Sequence, residues 1–242
     1  MKLLWIYHAN CDDGFAAAWA VRHALGEDAV EFYAGQYQRE PPDVTGRQVM
    51  LVDFSYKRPV LEAMGRAAQS ILILDHHHTA AQDLFGFKEP IWGPQAINEG
   101  IWALFDMTRS GAGLTWDFLH LNAQRPAFID YIEDRDLWRK SLPGIDEFTI
   151  ALRSYPQDFA VWDGLVEAGP DALIAEGSAI QRYYRLRVEE LKRSAYSATL
   201  AGVPIWVTNA PYFAASEVAG EIAEKTGAGA CYFEVGQGRW AY

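Results

Sequence analysis

The chain has 242 residues, half of them hydrophobic, and a formal net charge of -11. That length supports one large domain or two small ones around a sizeable core, and the hydrophobic content excludes a disordered chain. Lys and Arg are scattered rather than striped, which disfavours a groove for long nucleic acid but leaves room for a small positive cleft and for carboxylates neutralised by metal. Two cysteines, Cys11 and Cys231, exclude a disulfide framework and a zinc finger and fit a reducing cytosol. The apolar start reaches His8 and Asp12-Asp13 too soon for a signal peptide. No segment approaches the roughly 20 apolar residues that cross a bilayer. A cytoplasmic protein with no membrane partner is expected.

In chain order, the opening strand Leu3 to Tyr7 is closed by His8 and followed by Asn10-Cys11-Asp12-Asp13-Gly14. Asp13 to Leu25 is Ala-rich and stops at Gly26, which predicts a helix. Val30 to Ala34 predicts a strand, Pro41-Pro42-Asp43 a loop, and Val49 to Val52 a strand closed by Asp53. Arg58 to Gln69 reads as a helix with Pro59 in its first turn. The apolar run Ile71 to Leu74 then delivers Asp75-His76-His77 to a strand end. From about Ala96 to Tyr131 the pattern is helical, broken by Ser110-Gly111-Ala112-Gly113 ahead of Leu114 to Leu121. Phe128 to Glu133 leads to Asp134 and Asp136, and Asp171 to Ala195 is a long amphipathic helix that could link two lobes. The tail turns at Ala201-Gly202. It continues as strand Val203 to Thr208, helix Ala215 to Lys225, strand Ala230 to Val235, turn Gly236-Gln237-Gly238 and strand Arg239 to Tyr242.

Short strand, helix, strand spacing implies parallel pairing and right-handed crossovers. The expected fold class is α/β, a parallel sheet with helices on both faces and a smaller C-terminal α/β lobe. The expected boundaries are residues 1–165, a linking helix 166–195 and a partial domain 196–242. Ligands of open α/β sheets bind at the carboxyl ends of the strands. Acids and imidazoles of metal-ligand type cluster at four predicted strand or helix ends, so a divalent-metal site is the leading expectation. Each group also has a plainer reading. His8 alone is more often a satisfied polar residue, and Asp12 suits a helix N-cap. Arg135 and Arg139 either clamp phosphate or pair with acids on the surface. Ser110-Gly111-Ala112-Gly113 either lends backbone N–H groups to a phosphate or only breaks a helix. The nine tryptophans either stack bases or fill the core.

Four segments together resemble the motifs of the DHH phosphoesterase superfamily. They are His8-Ala9-Asn10-Cys11-Asp12-Asp13-Gly14-Phe15, Val52-Asp53-Phe54-Ser55, Leu74-Asp75-His76-His77-His78-Thr79 and Tyr131-Ile132-Glu133-Asp134-Arg135-Asp136-Leu137-Trp138. That superfamily includes RecJ-type exonucleases, nanoRNases, cyclic-dinucleotide phosphodiesterases and, in a sister branch, pyrophosphatases. The resemblance spans about residues 1–140, and the tail resembles the start of the smaller DHH-associated substrate-binding domain.

The resemblance implies a two-metal hydrolase holding two Mn2+ ions, with Mg2+ or Co2+ as substitutes. Asp53 would bridge the ions and His8 would bind the first. Asp13, with Asp12 as its competitor, would ligate one or both. His76 and Asp134 would complete the second site, with Asp136 as the competitor of Asp134. Asp75 would orient an imidazole, His77 would donate a hydrogen bond to the scissile phosphate, and His78 would face solvent. The implied substrates are short oligonucleotides or small nucleotide diesters. Pyrophosphate or polyphosphate hydrolysis and a catalytically weak nucleotide-binding regulator are the alternatives, and a second copy of the chain is a candidate partner. The superfamily's Gly-Gly-Gly-His stretch does not occur before the chain stops at Arg239-Trp240-Ala241-Tyr242. A truncated form, or a lineage without that grip, is therefore expected to hydrolyse small diesters slowly and to hold longer chains weakly.

Overall fold

Aliphatic runs bounded by turn residues become the strands of the computed structural model, which describes residues 2–90, 93, 99–121, 123–236 and 239–241, the side chain of Trp240 excepted. The chain divides into two units, Met1–Gly177 and Ser178–Tyr242.

The first unit holds strands β1 (Leu3–His8), β2 (Val30–Gly35), β3 (Gln48–Val52), β4 (Ser70–Asp75) and β5 (Gly100–Phe105). Its helices are α1 (Asp12–Leu25), α2 (Arg58–Ala67), α3 (His78–Asp83), α4 (Gly111–Leu119), α5 (Ala127–Asp136), α6 (Ile145–Leu152) and α7 (Phe159–Ala168). The strands pair in the order β2-β1-β3-β4-β5, each neighbouring pair parallel. Successive side chains on a strand point to opposite faces, and the core divides accordingly. Trp5, Met50, Val52, Leu72 and Leu74 pack with Phe15 and Trp19 of α1, Leu114 and Phe118 of α4 and Phe128 of α5. Leu4, Ile6, Val49, Leu51, Ile71 and Ile73 pack with Leu61 and Met64 of α2. The expected sheet with helices on both faces is therefore present. Each fully buried aliphatic contributes about 1.5–3 kcal/mol relative to exposure, so the central strands form a firm mount for whatever sits at their ends.

One element differs from the sequence reading. Residues 100–105, read as the start of a helical stretch, pair with β4 along its whole length as β5. An apolar run as short as Ile101-Trp102-Ala103-Leu104-Phe105 does not distinguish strand from helix by periodicity. The open edge of β4 decides it. Residues 96–98 of that stretch lie outside the described residues. Helices α3, α6 and α7 were not read from the sequence at all, although Asp158 caps α7 by accepting the Val161 N–H at 3.0 Å.

Helix α8 (Pro170–Arg193) runs through the unit boundary. The second unit adds β6 (Tyr196–Leu200), β7 (Val203–Asn209), α9 (Tyr212–Thr226), β8 (Gly229–Gly236) and β9 (Arg239–Ala241). Its sheet has the order β6-β7-β8-β9, with β7 and β8 parallel and the outer pairs antiparallel. The hairpin β6–β7 turns on Ala201 and Gly202, at φ 48° and 83°. Two successive left-handed residues match the twist of antiparallel strands. Val188, Ala210, Ala214, Val218, Ile222 and Cys231 form its core. The predicted turn at Gln237-Gly238 and the terminal Tyr242 lie outside the described residues. Cys11 and Cys231 are free thiols, and no helix of the described residues is long and apolar enough to cross a membrane.

Candidate metal centre

The strand order reverses between β1 and β3, and in open α/β sheets ligands bind at the carboxyl ends of the strands at such a point. His8 is the last residue of β1, Asp53 follows β3, and Asp75 ends β4 with His76 and His77 directly after it. Asp53 takes a left-handed φ of 53° while its N–H still donates to Leu74 O at 3.0 Å. The chain thus leaves the sheet abruptly at Asp53, in a conformation that Asp tolerates better than most residues. Non-glycine residues in that region concentrate at functional sites.

Asp53 lies at the middle of the cluster. Its Oδ1 is 3.0 Å from His76 Nε2 and its Oδ2 is 3.5 Å from His8 Nδ1. His76 Nε2 also lies 3.8 Å from Asp13 Oδ2 and 3.5 Å from Asp136 Oδ2. Three sets of ligand-type atoms, each set within 4.8 Å, overlap here: Asp53 with Asp75, His76 and His77; His8 with Cys11 and Asp53; and Asp13 with His76 and Asp136. Asp53 belongs to two sets and His76 to two, so the sets form one continuous centre.

The doubled acid after Cys11 is resolved by helix geometry. Neighbouring residues on a helix do not share a face. Asp13 turns inward, 1% exposed, and accepts the backbone N–H groups of Gly111 at 2.6 Å and Ala112 at 3.0 Å. Asp12 turns away and accepts Arg153 Nε at 2.8 Å. The same contacts occupy Ser110-Gly111-Ala112-Gly113. Ser110 N–H goes to Glu133 and Gly113 N–H to Ser110 Oγ, so these four N–H groups serve protein acceptors and none is left for a phosphate. The start of α4 positions Asp13 instead. Gly111 is required there, because a Cβ would lie 2.4 Å from Asp53 Cβ and 2.8 Å from Asp13 Oδ2. Gly111→Ala should therefore displace both carboxylates and weaken divalent-ion binding by about 10–100-fold, the scale of loss when a group that orients a metal ligand is disturbed. Isothermal titration with Mn2+ measures it, and unchanged affinity would contradict the close approach.

Asp134 and Asp136 separate in the same manner, and here the structure departs from the expected preference. Residues two apart on a helix point in different directions. Asp134 accepts Ser141 N–H at 2.9 Å and Leu142 N–H at 3.1 Å, and it faces the loop after α5 rather than the cluster. Those hydrogen bonds outweigh burial and hold its carboxyl below the ordinary range. Asp136 stands in the cluster, opposite His76. Asp134 latches the loop in which Trp138 and Lys140 both take positive φ, at 56° and 48°. Arg139 pairs with Glu133 at 3.3 Å, and Arg135 lies over the Trp138 ring at 4.0 Å.

Asp75 is fully buried. Its Oδ1 accepts the His76 N–H at 2.7 Å and lies 2.6 Å from His77 Nδ1. That contact places the Nδ1 proton of His77 toward Asp75 and leaves Nε2 at the outer edge of a side chain that is 36% exposed. His78 is exposed. Two residues absent from the sequence expectation join the site. Cys11 shares a set with His8 and Asp53, and Tyr37 packs edge-on to His8 with ring centroids 5.2 Å apart. Burial, then the charges of Asp75 and Asp53, push the Tyr37 hydroxyl up. Cys11 lies three residues after His8, and that spacing was the only available signal.

The donor set fits divalent cations. Asp53 Oδ2 and Asp75 Oδ2 are buried without a hydrogen-bond partner, and buried anionic oxygens are costly unless paired with charge. Burial and the neighbouring charges of Asp53 and Asp136 raise the Asp13 carboxyl. Burial against the cluster, then the charge of Asp53, raises the Asp136 carboxyl to about 6. Burial opposes ionisation of Asp53 too, but the flanking His76 and His8 hold it at about 2. Burial works to lower His76, yet Asp53, Asp13 and Asp136 raise it to about 9. A bound cation would relieve the carboxylate repulsion and take the place of the His76 proton.

This has a measurable consequence. With His76 at about 9 in the ion-free protein, its ring is protonated at pH 7 and must lose that proton to ligate. In the ion-free protein this interaction stabilises the fold fully below pH 6.5 and is lost as pH rises through about 9. Mn2+ affinity should run the opposite way, climbing between pH 6 and 9 with release of about one proton from this imidazole. Calorimetric titration in buffers of different ionisation enthalpy reads the proton count. Affinity that falls as pH rises would overturn the assignment of His76.

No family model matches the chain. An uncharacterized protein of Acanthamoeba polyphaga mimivirus is 26% identical over an alignment of 208 residues, covering 79% of this chain. The chain spans about half, 47%, of that protein's length. An uncharacterized protein from Helicobacter pylori matches in structure with a TM-score of 0.44 at 12% identity, covering 94% of this chain and 80% of that chain. The DHH domain of a member of the S1p family of ribosomal proteins matches with a TM-score of 0.49 at 13% identity, covering 93% of this chain and 69% of that chain. At these TM-scores neither likeness bears on function.

Proposed function

We propose that this protein is a divalent-metal-dependent phosphoesterase that hydrolyses the phosphodiester bonds of short oligonucleotides or small nucleotide diesters. One observation carries the reading. A buried carboxylate, Asp53, has one oxygen facing His76 and the other, without a hydrogen bond, 3.5 Å from His8 Nδ1. Such a group can be shared between two cations. The four motifs that resemble the DHH phosphoesterases support the same reading.

When bound, a pair of divalent ions would supply a nucleophilic water near neutral pH and neutralise charge on the phosphoryl oxygens. His8 and Asp53 would hold one ion, and Asp13, His76, Asp136 and Asp53 the other. Mixed carboxylate and imidazole donors suit Mn2+, with Mg2+ or Co2+ as substitutes. His77, with Nδ1 fixed toward Asp75, presents Nε2–H to a non-bridging phosphate oxygen. A donor aimed where negative charge develops stabilises the transition state without reorganising. Asp75 acts through His77, fixing its tautomer. Asp13 is itself oriented by the N–H groups of Gly111 and Ala112.

The test is a hydrolysis screen of the purified chain with Mn2+ against a dinucleotide, a cyclic dinucleotide, a mononucleotide, pyrophosphate and bis-p-nitrophenyl phosphate. Turnover of a nucleotide diester that stops on chelation is expected. Preference for pyrophosphate would replace the substrate class and keep the metal centre. Binding without turnover of any substrate would favour a nucleotide-binding regulator.

A further inference from the structure

The His8 half of the centre contains a donor that the hydrolytic reading does not use. We propose that Cys11 Sγ is a protein ligand there, completing a His8–Cys11–Asp53 site that accepts thiolate-binding divalent ions, while the His76 half holds a harder ion. The proposal rests on the metal-centre reading above and gives the two halves different chemistry.

Two independent observations converge on it. Ligand atoms of His8, Cys11 and Asp53 lie within 4.8 Å of one another. Asp53, 1% exposed, turns Oδ2 into that group, 3.5 Å from His8 Nδ1, with no hydrogen-bond partner. A buried anionic oxygen without a hydrogen bond, beside a ring nitrogen and a sulfur, asks for a cation. The cysteine is also held in place. It is the N-cap residue of α1, with φ -121° and ψ 133°, and its carbonyl accepts Phe15 N–H at 3.0 Å and Gln157 Nε2 at 3.1 Å. Gly14 lets the first turn of α1 press on the end of β1, since a Cβ there would lie 2.4 Å from His8 O. His8 and Cys11 are therefore fixed to each other through backbone rather than through mobile side chains.

The donor sets differ in softness. Imidazole, thiolate and one carboxylate suit Zn2+, Fe2+ or Co2+, whereas Asp13, Asp136, Asp53 and a single imidazole, His76, suit Mn2+ or Mg2+. Coordination displaces the thiol proton to solvent. The centre would then load two different metals in a mixture, with the softer ion on the His8 side.

The experiment is a Co2+ titration of the full chain followed by absorption spectroscopy, with bound metal counted by equilibrium dialysis. Sulfur-to-cobalt charge-transfer absorption in the near ultraviolet is expected for the wild type. With only two cysteines in the chain, its persistence in Cys231→Ala assigns it to Cys11. Cys11→Ser should lose the charge-transfer band and keep the visible cobalt bands of the His76 half, which shows that the variant is folded. Two Co2+ ions bound to wild type without charge-transfer absorption would overturn the ligand role of Cys11 and leave the metal centre standing. An unchanged band in Cys11→Ser would overturn it equally. If wild type binds no Co2+, the metal-centre reading falls together with the proposal.

Discussion

Asp53→Asn should lower diester turnover by about 10³-fold, because charge stabilisation of several kcal/mol is removed and each 1.36 kcal/mol is worth a factor of ten. It should also leave at most one Mn2+ bound per chain. Asparagine keeps the size of the side chain and tolerates the left-handed backbone at position 53, where φ is 53°. The substitution therefore isolates charge from strain. Alanine would combine the two effects. Asp53 is the residue whose two oxygens face different imidazoles, so its loss acts on both halves of the centre. Equilibrium dialysis with Mn2+ and hydrolysis of bis-p-nitrophenyl phosphate read the two effects separately. Wild-type turnover in Asp53→Asn would refute a shared carboxylate.

The adjacent imidazoles should part company when each is removed. His77→Ala is expected to lower turnover by about 10²–10³-fold, the loss typical of one positioned donor, with both ions retained. His76→Ala should lose about one ion per chain, because its Nε2 faces Asp53, Asp13 and Asp136 together. The difference arises from Asp75, which lies 2.6 Å from Nδ1 of His77 and turns that ring outward. His77 also falls in a set with Asp53 and His76, so metal ligation by His77 is the competing outcome. Equal metal loss in both variants would show that it prevails.

Much of this side-chain cluster was legible in the sequence because strand ends are. An apolar run stopped by a charged residue marks the edge of a buried parallel strand, and His8, Asp53, Asp75, His76 and His77 each sit at such a stop. What the sequence left open were choices of direction. Asp12 or Asp13, and Asp134 or Asp136, depend on which face of a helix meets the sheet edge. That face is set by packing, such as Phe15 and Trp19 of α1 in the core. Asp136 rather than Asp134 meets His76 because the Ser141 and Leu142 N–H groups claim Asp134. The helix start at Ser110 to Gly113 read as a possible phosphate cradle, since its N–H groups are visible in sequence but their acceptor, Asp13, lies 98 residues away. Strand β5 is hidden in the sequence for a related reason. Its apolar run fits helix or strand, and only the free edge of β4 decides.

The centre itself is tested most directly by anomalous scattering from crystals soaked in Mn2+. Two peaks flanking Asp53 are predicted, one beside His8 and the other among Asp13, His76 and Asp136, with Asp134 ligating neither. Ions bound away from Asp53, or a single ion held by Asp134, would contradict the account.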